Sequence, residues 1–487
     1  FDVSGATFPG LPGFPHFGSN GSVAWAITHG DADTQDLYLE RFAGTRYLTP
    51  SGWAEAEVRH ERIEVRGGSP VTVPVWATRH GPVVHGNPDS GLALALKWTG
   101  TYRPNRGFEC LLPMLTARTV AELADAQDGW VDPVNNLVCA DTRGDIAYQC
   151  RGELPVRSSD AARRLPVPGW DDACEWTGTV PFASLPRTVD PEAGFVMTAN
   201  NVMTDADDPY ISYTFTQPWR AERIRSLLVD SGRATVDQLA GMQADTVSLQ
   251  ARGWGRLLAG LGALADEDAE AARALLAGWD GNLTAGSAKA LLYACYLRAL
   301  AEALYRPLLG TETWSWMASG ALAPTLSMVR RWLGNDTWEL LGGPVPPGAG
   351  PRAGQRDLVL AAVPGALAAG WAAAVRAAGP DPARWRWGDV HRAVRVHPLA
   401  SAFTSAFASV AMGGDADTIQ VSGYGWRPGS PFTVASLSVY RQVVDLAEPA
   451  SASFVIPGGA SGDPASAHFS DQFARWADHE RIAMTSD

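Results

Sequence analysis

A run of three carboxylates near the start of the chain has the residue types that bind a hard cation. Asp31, Asp33 and Asp36 lie close together in the sequence. Calcium prefers roughly six to eight oxygen ligands, and clustered carboxylates supply several of them. The spacing does not match an EF-hand loop, and a solvated acidic turn would have the same composition. The run alone leaves both interpretations open.

A second short motif suggests phosphate chemistry. Arg79-His80-Gly81 matches the tripeptide in which histidine phosphatases carry their nucleophilic histidine. In those enzymes the motif follows the first strand of a parallel sheet. Here it closes a predicted antiparallel hairpin, and three residues recur by chance. We therefore keep the histidine phosphatase as a minor alternative.

A pair of asparagines offers a third kind of chemistry. Asn200 and Asn201 precede a segment that contains Arg220 and Arg223. A buried asparagine amide can donate a hydrogen bond to a developing oxyanion. An asparagine-rich turn before a helix with solvated arginines would have the same sequence. Both interpretations stay open at this point, and the segment from Asn20 to Gly30 predicts only a hairpin.

The signatures of several common enzyme classes are absent from the sequence. It contains no Gly-x-Ser-x-Gly elbow, no His-Glu-x-x-His, no Gly-x-x-x-x-Gly-Lys and no Rossmann glycine triplet. The nine histidines include no pair at metal-ligand spacing on a helix, which disfavours a histidine-based metal site. We expect no organic cofactor.

Composition excludes further classes of protein. The 487 residues are 46% hydrophobic and 19% charged, which is typical of a globular chain. A net charge of −13 is opposite in sign to that of most nucleic-acid-binding domains. Five cysteines are too few for a disulfide scaffold, although Cys139 and Cys150 flank a predicted turn and could pair. The Ala-rich stretch Leu358–Val375 is interrupted by Pro364 and predicts a helix of the fold, not a membrane span.

Hydrophobic periodicity predicts a strand–helix–strand order along the chain. Residues 1–234 are rich in strand signals, among them two hairpins, 58–65 with 71–76 and 136–140 with 145–150. Residues 235–394 have helical spacing, and Thr235 with Gln238 predicts a capping box. Strands return over 395–487. This order predicts one composite domain made of three stretches.

Taken in order, these segments resemble the penicillin acylase (penicillin amidase) family of N-terminal-nucleophile hydrolases. The resemblance covers nearly the whole chain and is to most of the large β-subunit. The matching segments are Pro12-Gly13, Phe17–Gly21, Ala24–Thr28, Asp33–Glu40, Arg79–Val84, Asp141–Tyr148, Gly152–Arg157, Leu165–Gly169, Thr198–Asn201, Trp385–Gly388 and Gly459–Pro464 with His468, Asp471 and Gln472.

The resemblance implies a fold and a reaction. The fold is an α+β, four-layer αββα sandwich with a helical insertion and returning C-terminal strands. The reaction is hydrolysis of linear N-acyl amide bonds through an acyl-enzyme on an N-terminal serine, which self-cleavage of a precursor exposes. Its own α-amino group serves as the base. The chain begins at Phe1, so the family register places that serine in a preceding segment, and we expect the 487 residues alone to be inactive.

The resemblance also assigns roles to individual residues. The backbone N–H of His29 and the side-chain amide of Asn200 are expected to bind the oxyanion. Arg220 is expected to orient the asparagine and the surroundings of the nucleophile. The acyl pocket is expected to be lined by three apolar residues, Phe17, Ile27 and Leu137.

A structural calcium ion is a further implication of the resemblance. The expected ligands are the carboxylates of Asp33 and Asp36 and the backbone carbonyl of Gln35. Asp207 or Asp208 is expected to complete the site, together with a ligand from the α-subunit.

The resemblance finally implies partners and a location. The partners are the α-subunit and the β-subunit N-terminal segment from the same precursor, and a small acylated amine as substrate. Neither nucleic acid nor a membrane span is expected, and family analogy places the protein in the periplasm or outside the cell. A catalytically silent relative that binds acylated ligands is the alternative from a different class. A Ser, Thr or Cys at the cleavage junction would discriminate between the two.

Overall fold

The computed structural model describes residues 2–8, 10, 15–204, 208–213, 215–318, 328–343, 355–394, 409–427 and 429–484. Contacts between residues divide the chain into two compact units, Phe1–Phe215 and Thr216–Asp487. Each unit has its own core. The division into stretches 1–234, 235–394 and 395–487 stays a prediction.

The first unit consists mainly of strands, as its alternating apolar and polar residues predict. Its short helices are α1 Thr99–Tyr102, α2 Leu111–Thr116 and α3 Val120–Asp125. Its strands are β1 Ser4–Ala6, β2 Phe17–Ser19, β3 Val23–His29, β4 Gln35–Ala43, β5 Arg46–Thr49, β6 Gly52–Glu55, β7 Glu57–Ile63, β8 Val71–Thr78, β9 Gly81–Asn87, β10 Leu92–Trp98, β11 Asn135–Asp141, β12 Ile146–Arg151, β13 Pro155–Arg157, β14 Val167–Pro168, β15 Trp176–Thr179 and β16 Arg187–Val189.

Two large sheets organise these strands. The six-stranded sheet has the order β1-β2-β3-β11-β12-β16, and its neighbouring strands are antiparallel. The eight-stranded sheet has the order β6-β5-β4-β10-β9-β8-β7, and β14 joins it in parallel beside β4. Both predicted hairpins are confirmed, as the pairs β7–β8 and β11–β12.

The two faces of the six-stranded sheet carry different cores. On one, the helix-covered face, Trp25, Leu137 and Ala147 pack together with side chains of α2 and α3. Cys139 belongs to this face, whereas Cys150 packs on the opposite face, and both are free buried thiols. The pairing of Cys139 with Cys150 is therefore wrong, because side chains alternate between faces along a strand.

The second unit is mainly helical and ends in short strands. Its helices are α4 Trp219–Ser231, α5 Val236–Met242, α6 Leu249–Ala259, α7 Glu267–Leu276, α8 Ala288–Ala318, α9 Met328–Trp338, α10 Gln355–Ala378, α11 Trp387–Val390 and α12 Phe473–Ala477. Its strands are β17 Arg392–Val394, β18 Ser409–Ala411, β19 Ser422–Tyr424, β20 Val434–Leu437, β21 Arg441–Val443, β22 Ser453–Val455 and β23 Ile482–Ala483.

Local signals in this unit have the predicted effect. Thr235 and Gln238 form the capping box before α5, with each side chain bonded to the backbone of the other residue. The first helix, α4, begins at Trp219 and therefore earlier than the predicted helical stretch. The main core lies among α6, α7, α8 and α10 and includes Trp254, Leu291 and Val363.

The Ala-rich helix α10 is the one candidate membrane span among the described residues. By length and composition alone it could cross a bilayer. It packs against α8, and 33% of its most apolar window is buried inside the fold. A single helix of this kind is weak evidence for a span, because core helices pass the same test.

Candidate active site

At the carboxyl end of β3, the backbone N–H and C=O of His29 both point toward the β2 side of the strand. Gly30 N donates to Val134 O at 2.9 Å, and Thr142 N donates to Ser22 O at 3.0 Å. Hydrogen-bonded pairs alternate along an antiparallel ladder, so the even-numbered residues of β3 bond to β11. The N–H and C=O of His29 consequently both point away from β11, toward the β2 side.

The side chain of Asn200 reaches the same edge. Its Nδ2 donates to the carbonyl oxygen of His29 at 2.8 Å. Asn200 has φ +64°, a left-handed conformation that asparagine adopts more readily than most residues. An amide nitrogen carries two N–H bonds, and the His29 carbonyl accepts one of them. The structure thus brings together the two residues assigned to the oxyanion.

Hydroxyl groups anchor the asparagine loop to β3. Thr198 Oγ1 lies 2.9 Å from Thr28 Oγ1, and Asn136 Nδ2 donates to Thr28 Oγ1 at 3.3 Å. The buried Tyr148 hydroxyl donates to Asn136 Oδ1 at 2.8 Å. Burial raises the pKa of Tyr148 well above its usual range, so this phenol stays protonated and keeps donating. Arg220 lies in the first turn of α4, in the second unit, and its role stays a prediction.

The three residues predicted for the acyl pocket do not all share one face. Ile27 lies directly opposite Leu137 on the helix-covered face; Ile27 is half-buried and Leu137 is fully buried. Gly18 lies opposite Trp25, so alternation along β2 puts Phe17 on the other face of the sheet. The structure therefore brings Ile27 and Leu137 together and places Phe17 apart from them.

The carboxylates predicted to bind calcium are engaged by an arginine. Arg157 donates to both carboxylate oxygens of Asp36, at 2.8 and 3.1 Å, and to the backbone oxygen of Asp33 at 2.9 Å. Its Nη2 also lies 3.3 Å from the Asp33 carboxylate, and Trp176 Nε1 donates to Asp36. The guanidinium thus supplies the positive charge at this position.

The calcium site that the resemblance implies stays a prediction. No group of three or more histidine, cysteine or acidic side chains that could hold a metal occurs in the described part of the chain. Of the two aspartates predicted to complete the site, Asp207 lies outside the described residues and Asp208 is exposed. Burial raises the pKa of Asp33 to about 6, although Arg157 opposes the shift. No reaction step proposed below depends on calcium.

The histidine of the Arg79-His80-Gly81 motif is buried between two carboxylates. His80 Nδ1 lies 2.6 Å from Glu40 Oε1, and Nε2 lies 2.5 Å from Glu175 Oε1. Lys97 Nζ donates to Glu175 at 2.7 Å. Although burial opposes the change, hydrogen bonds from His80 and Lys97 lower the pKa of Glu175 to about 2. We call His80, Glu40, Glu175 and Lys97 the histidine–carboxylate cluster. Its histidine has no access to a phosphate ester.

A second buried polar cluster lies on the helix-covered face, and sequence reasoning missed it. Arg151 is 0% exposed, and its guanidinium lies 4.2 Å from the centre of the Trp130 ring. Its acceptors are Gln127 Oε1 at 2.7 Å, Asn135 Oδ1 at 3.1 Å and His16 Nδ1 at 3.4 Å. We call these five residues the arginine cluster. The alternation of side chains along β12 could have revealed it. Arg151 lies four residues after the core residue Ala147 and therefore on the same face of the sheet.

The geometry defines a class of protein. The whole chain superposes on 91% of a thermostable penicillin G acylase chain from Alcaligenes faecalis, with a TM-score of 0.70 and 22% sequence identity. That similarity shows the fold. It confirms the predicted class, the α+β sandwich of N-terminal-nucleophile hydrolases with a helical insertion and returning strands.

Sequence comparison then gives the family. The family model described as penicillin amidase matches residues 1–487, and the chain belongs to this family. It is 36% identical to penicillin acylase 2 proenzyme of Pseudomonas sp. strain SE83, over 99% of this chain and 61% of the relative. It is 30% identical to the acyl-homoserine lactone acylase QuiP of Pseudomonas syringae pv. tomato, over 98% of this chain and 60% of the relative. The chain thus spans about 60% of the length of these curated relatives.

Proposed function

We propose that this chain forms part of an acylase that hydrolyses linear N-acyl amide bonds. One observation carries the proposal. The Asn200 side-chain amide donates a hydrogen bond to the His29 carbonyl, on the side of β3 toward which the His29 N–H also points. An amide carbonyl bound there would receive one backbone and one side-chain hydrogen bond. Such donors stabilise the negative charge that develops on the oxygen during acyl transfer.

The nucleophile we propose is an N-terminal serine hydroxyl outside these residues. The hydroxyl attacks the amide carbon while the terminal amine accepts its proton, and collapse of the adduct releases the substrate amine. Water then hydrolyses the ester to the acid and regenerates the serine. An α-amine is suited to this task because its usual pKa, roughly 8, lies near physiological pH.

The relatives suggest what else completes the enzyme. One is described as a proenzyme, and we propose a similar precursor here, with an α-subunit and the β-subunit N-terminal segment as partners. We propose the periplasm or the cell exterior as the place of action. Penicillins and acyl-homoserine lactones are the substrates to test first, because the relatives carry those names.

Expression of the whole gene tests the proposal. The protein should yield two chains, the larger with an N-terminal serine, and should release free amine from benzylpenicillin or from an N-acyl-homoserine lactone. Intact mass, N-terminal sequencing and amine detection provide the readouts. An uncleaved chain, or a junction without Ser, Thr or Cys, would instead indicate a silent relative that binds acylated ligands.

A further inference from the structure

A network of buried polar groups connects the interior of the first unit to the end of β3. Asn136 precedes Leu137 on β11, so its side chain lies on the face of the sheet opposite the helix-covered face. The Tyr148 hydroxyl donates to Asn136 Oδ1 at 2.8 Å. Asn136 Nδ2 lies 3.3 Å from Thr28 Oγ1 and 3.5 Å from the carbonyl oxygen of His29. One amide therefore joins a buried phenol to the last two residues of β3.

The orientation of the Asn136 amide decides what this group offers to β3. Its nitrogen can only donate and its oxygen can only accept, although the two ends have nearly the same shape. With the nitrogen toward β3, the amide is a donor to Thr28 Oγ1 and to the His29 carbonyl. A reversed amide would place its oxygen against the His29 carbonyl oxygen, and two acceptors repel each other. Only the first orientation holds the backbone of His29 in place.

The Tyr148 hydroxyl favours this orientation. Its proton lies on the amide oxygen, and burial raises the pKa of Tyr148 well above its usual range, so the proton stays bound. Cys150, directly opposite Asn136 on β12, hydrogen-bonds with the same hydroxyl. If the amide were reversed, the phenol proton would have this sulfur as an alternative acceptor, and sulfur is a weak one. Reversal would therefore cost the strongest hydrogen bond of the network.

The network extends to the loop that carries Asn200. Thr28 Oγ1 lies 2.9 Å from Thr198 Oγ1, two residues before Asn200. Asn200 Nδ2 donates in turn to the His29 carbonyl at 2.8 Å. The Thr28 hydroxyl and the His29 carbonyl thus each contact both the Asn136 amide and the asparagine loop. A shift of Asn136 would disturb both contacts that orient Asn200.

We propose that Tyr148 is a positioning residue for amide hydrolysis. Its hydroxyl fixes the orientation of the Asn136 amide, and this amide keeps the end of β3 in the geometry that the oxyanion requires. The inference rests on the proposed function. Tyr148 is 2% exposed, so it acts through Asn136 and not by contact with a substrate. A displacement of about 1 Å at a reacting group can lower a rate by about 100-fold, so small shifts of the donors matter.

Removal of the hydroxyl tests the proposal in the protein expressed from its whole gene. Tyr148→Phe keeps the ring and should lower kcat for an N-acyl amide by about 5- to 50-fold, with little change in KM. The matched control is Tyr38→Phe, because the Tyr38 hydroxyl is also buried and donates to the Cys174 carbonyl at 2.9 Å, but lies in the eight-stranded sheet. Both variants should lose similar stability, and Tyr148→Phe alone should lose kcat. Equal kcat values in the two variants would overturn the proposal.

Substitutions at Thr28 separate the hydrogen-bond network from packing. Thr28→Val keeps the shape of the side chain but removes the hydroxyl, and it should lower kcat as Tyr148→Phe does. Thr28→Ser keeps the hydroxyl and should retain most of the activity. The losses in Tyr148→Phe and Thr28→Val should not add in the double variant, because both substitutions break one network. Fully additive losses would show that the two hydroxyls act independently, against the proposal.

Hydrogen exchange keeps this inference distinct from the proposed function. If the unmodified protein hydrolyses no amide, backbone exchange in residues 198–201 is compared among the unmodified protein, Tyr148→Phe and Tyr38→Phe. Exchange about 10-fold faster in Tyr148→Phe alone would support the positioning role although the hydrolase proposal had failed, because the network holds this loop to β3. Equal exchange in the three proteins would overturn the inference.

Discussion

The two buried polar clusters of the first unit differ in how charge is balanced. In the histidine–carboxylate cluster, His80 lies between Glu40 and Glu175, and Lys97 pairs with Glu175. In the arginine cluster, the acceptors of the cation Arg151 within the described residues are all neutral. Buried ions are stable when opposite charges and hydrogen bonds satisfy them. The first cluster therefore contains its own counter-charges, whereas uncharged groups hold the guanidinium of the second.

The largest expected effect comes from removing the histidine of the histidine–carboxylate cluster. His80→Ala removes the donor between two carboxylates and should lower the free energy of unfolding by about 3–5 kcal/mol. Chemical denaturation measures the loss, with His85→Ala as control, because His85 is exposed on β9 next to the same motif. An equal, small loss in both variants would show that the cluster does not stabilise the fold.

An intermediate loss of folding stability is expected when acid protonates His16 in the arginine cluster. The folded-state pKa of His16, about 4, lies below its ordinary value of 6.5, so the unfolded chain binds the proton more tightly. Stability from this group is present above pH 6.5 and is lost as the pH falls toward 4. The loss should be about 2 kcal/mol after allowance for partial hydration.

The measurement is the unfolding free energy of the unmodified protein and of His16→Asn across this pH range. Asparagine keeps an acceptor for Arg151 but does not titrate. The difference between the two proteins should therefore change between pH 6.5 and 4 and stay constant above pH 7. A constant difference over the whole range would mean that His16 is not held neutral.

The smallest expected effect concerns calcium. Because Arg157 already occupies both oxygens of Asp36, a chelator should leave the melting temperature unchanged, and added calcium should not raise it. The comparison variant is Arg157→Met, which leaves the two carboxylates without their partner and should be destabilised. A clear rise in melting temperature with calcium would contradict the arrangement and favour the predicted ion site.

Local patterns in the sequence predicted most of the local structure. Alternation around a short turn predicted β11 and β12, and Thr235 with Gln238 predicted the start of α5. These features depend on residues only a few positions apart. The same alternation, extended by one residue beyond Cys150, would have placed Arg151 on the core face.

Contacts between distant residues were beyond such reasoning. The hydrogen bond from Asn200 to His29 joins residues 171 positions apart, and no local period encodes it. The resemblance to the acylase family named both residues, but their contact had to come from the fold. Likewise, apolar character alone could not tell that Phe17 and Ile27 occupy opposite faces, because that depends on strand register.

The central claim is that His29 and Asn200 form an oxyanion site, and one substitution tests it most directly. In the protein expressed from its whole gene, Asn200→Ala should lower kcat for an N-acyl amide by about 10²–10³, with little change in KM. The control, Asn105→Ala, alters an exposed asparagine in a surface turn and should leave kcat unchanged. Full activity in Asn200→Ala would contradict the account.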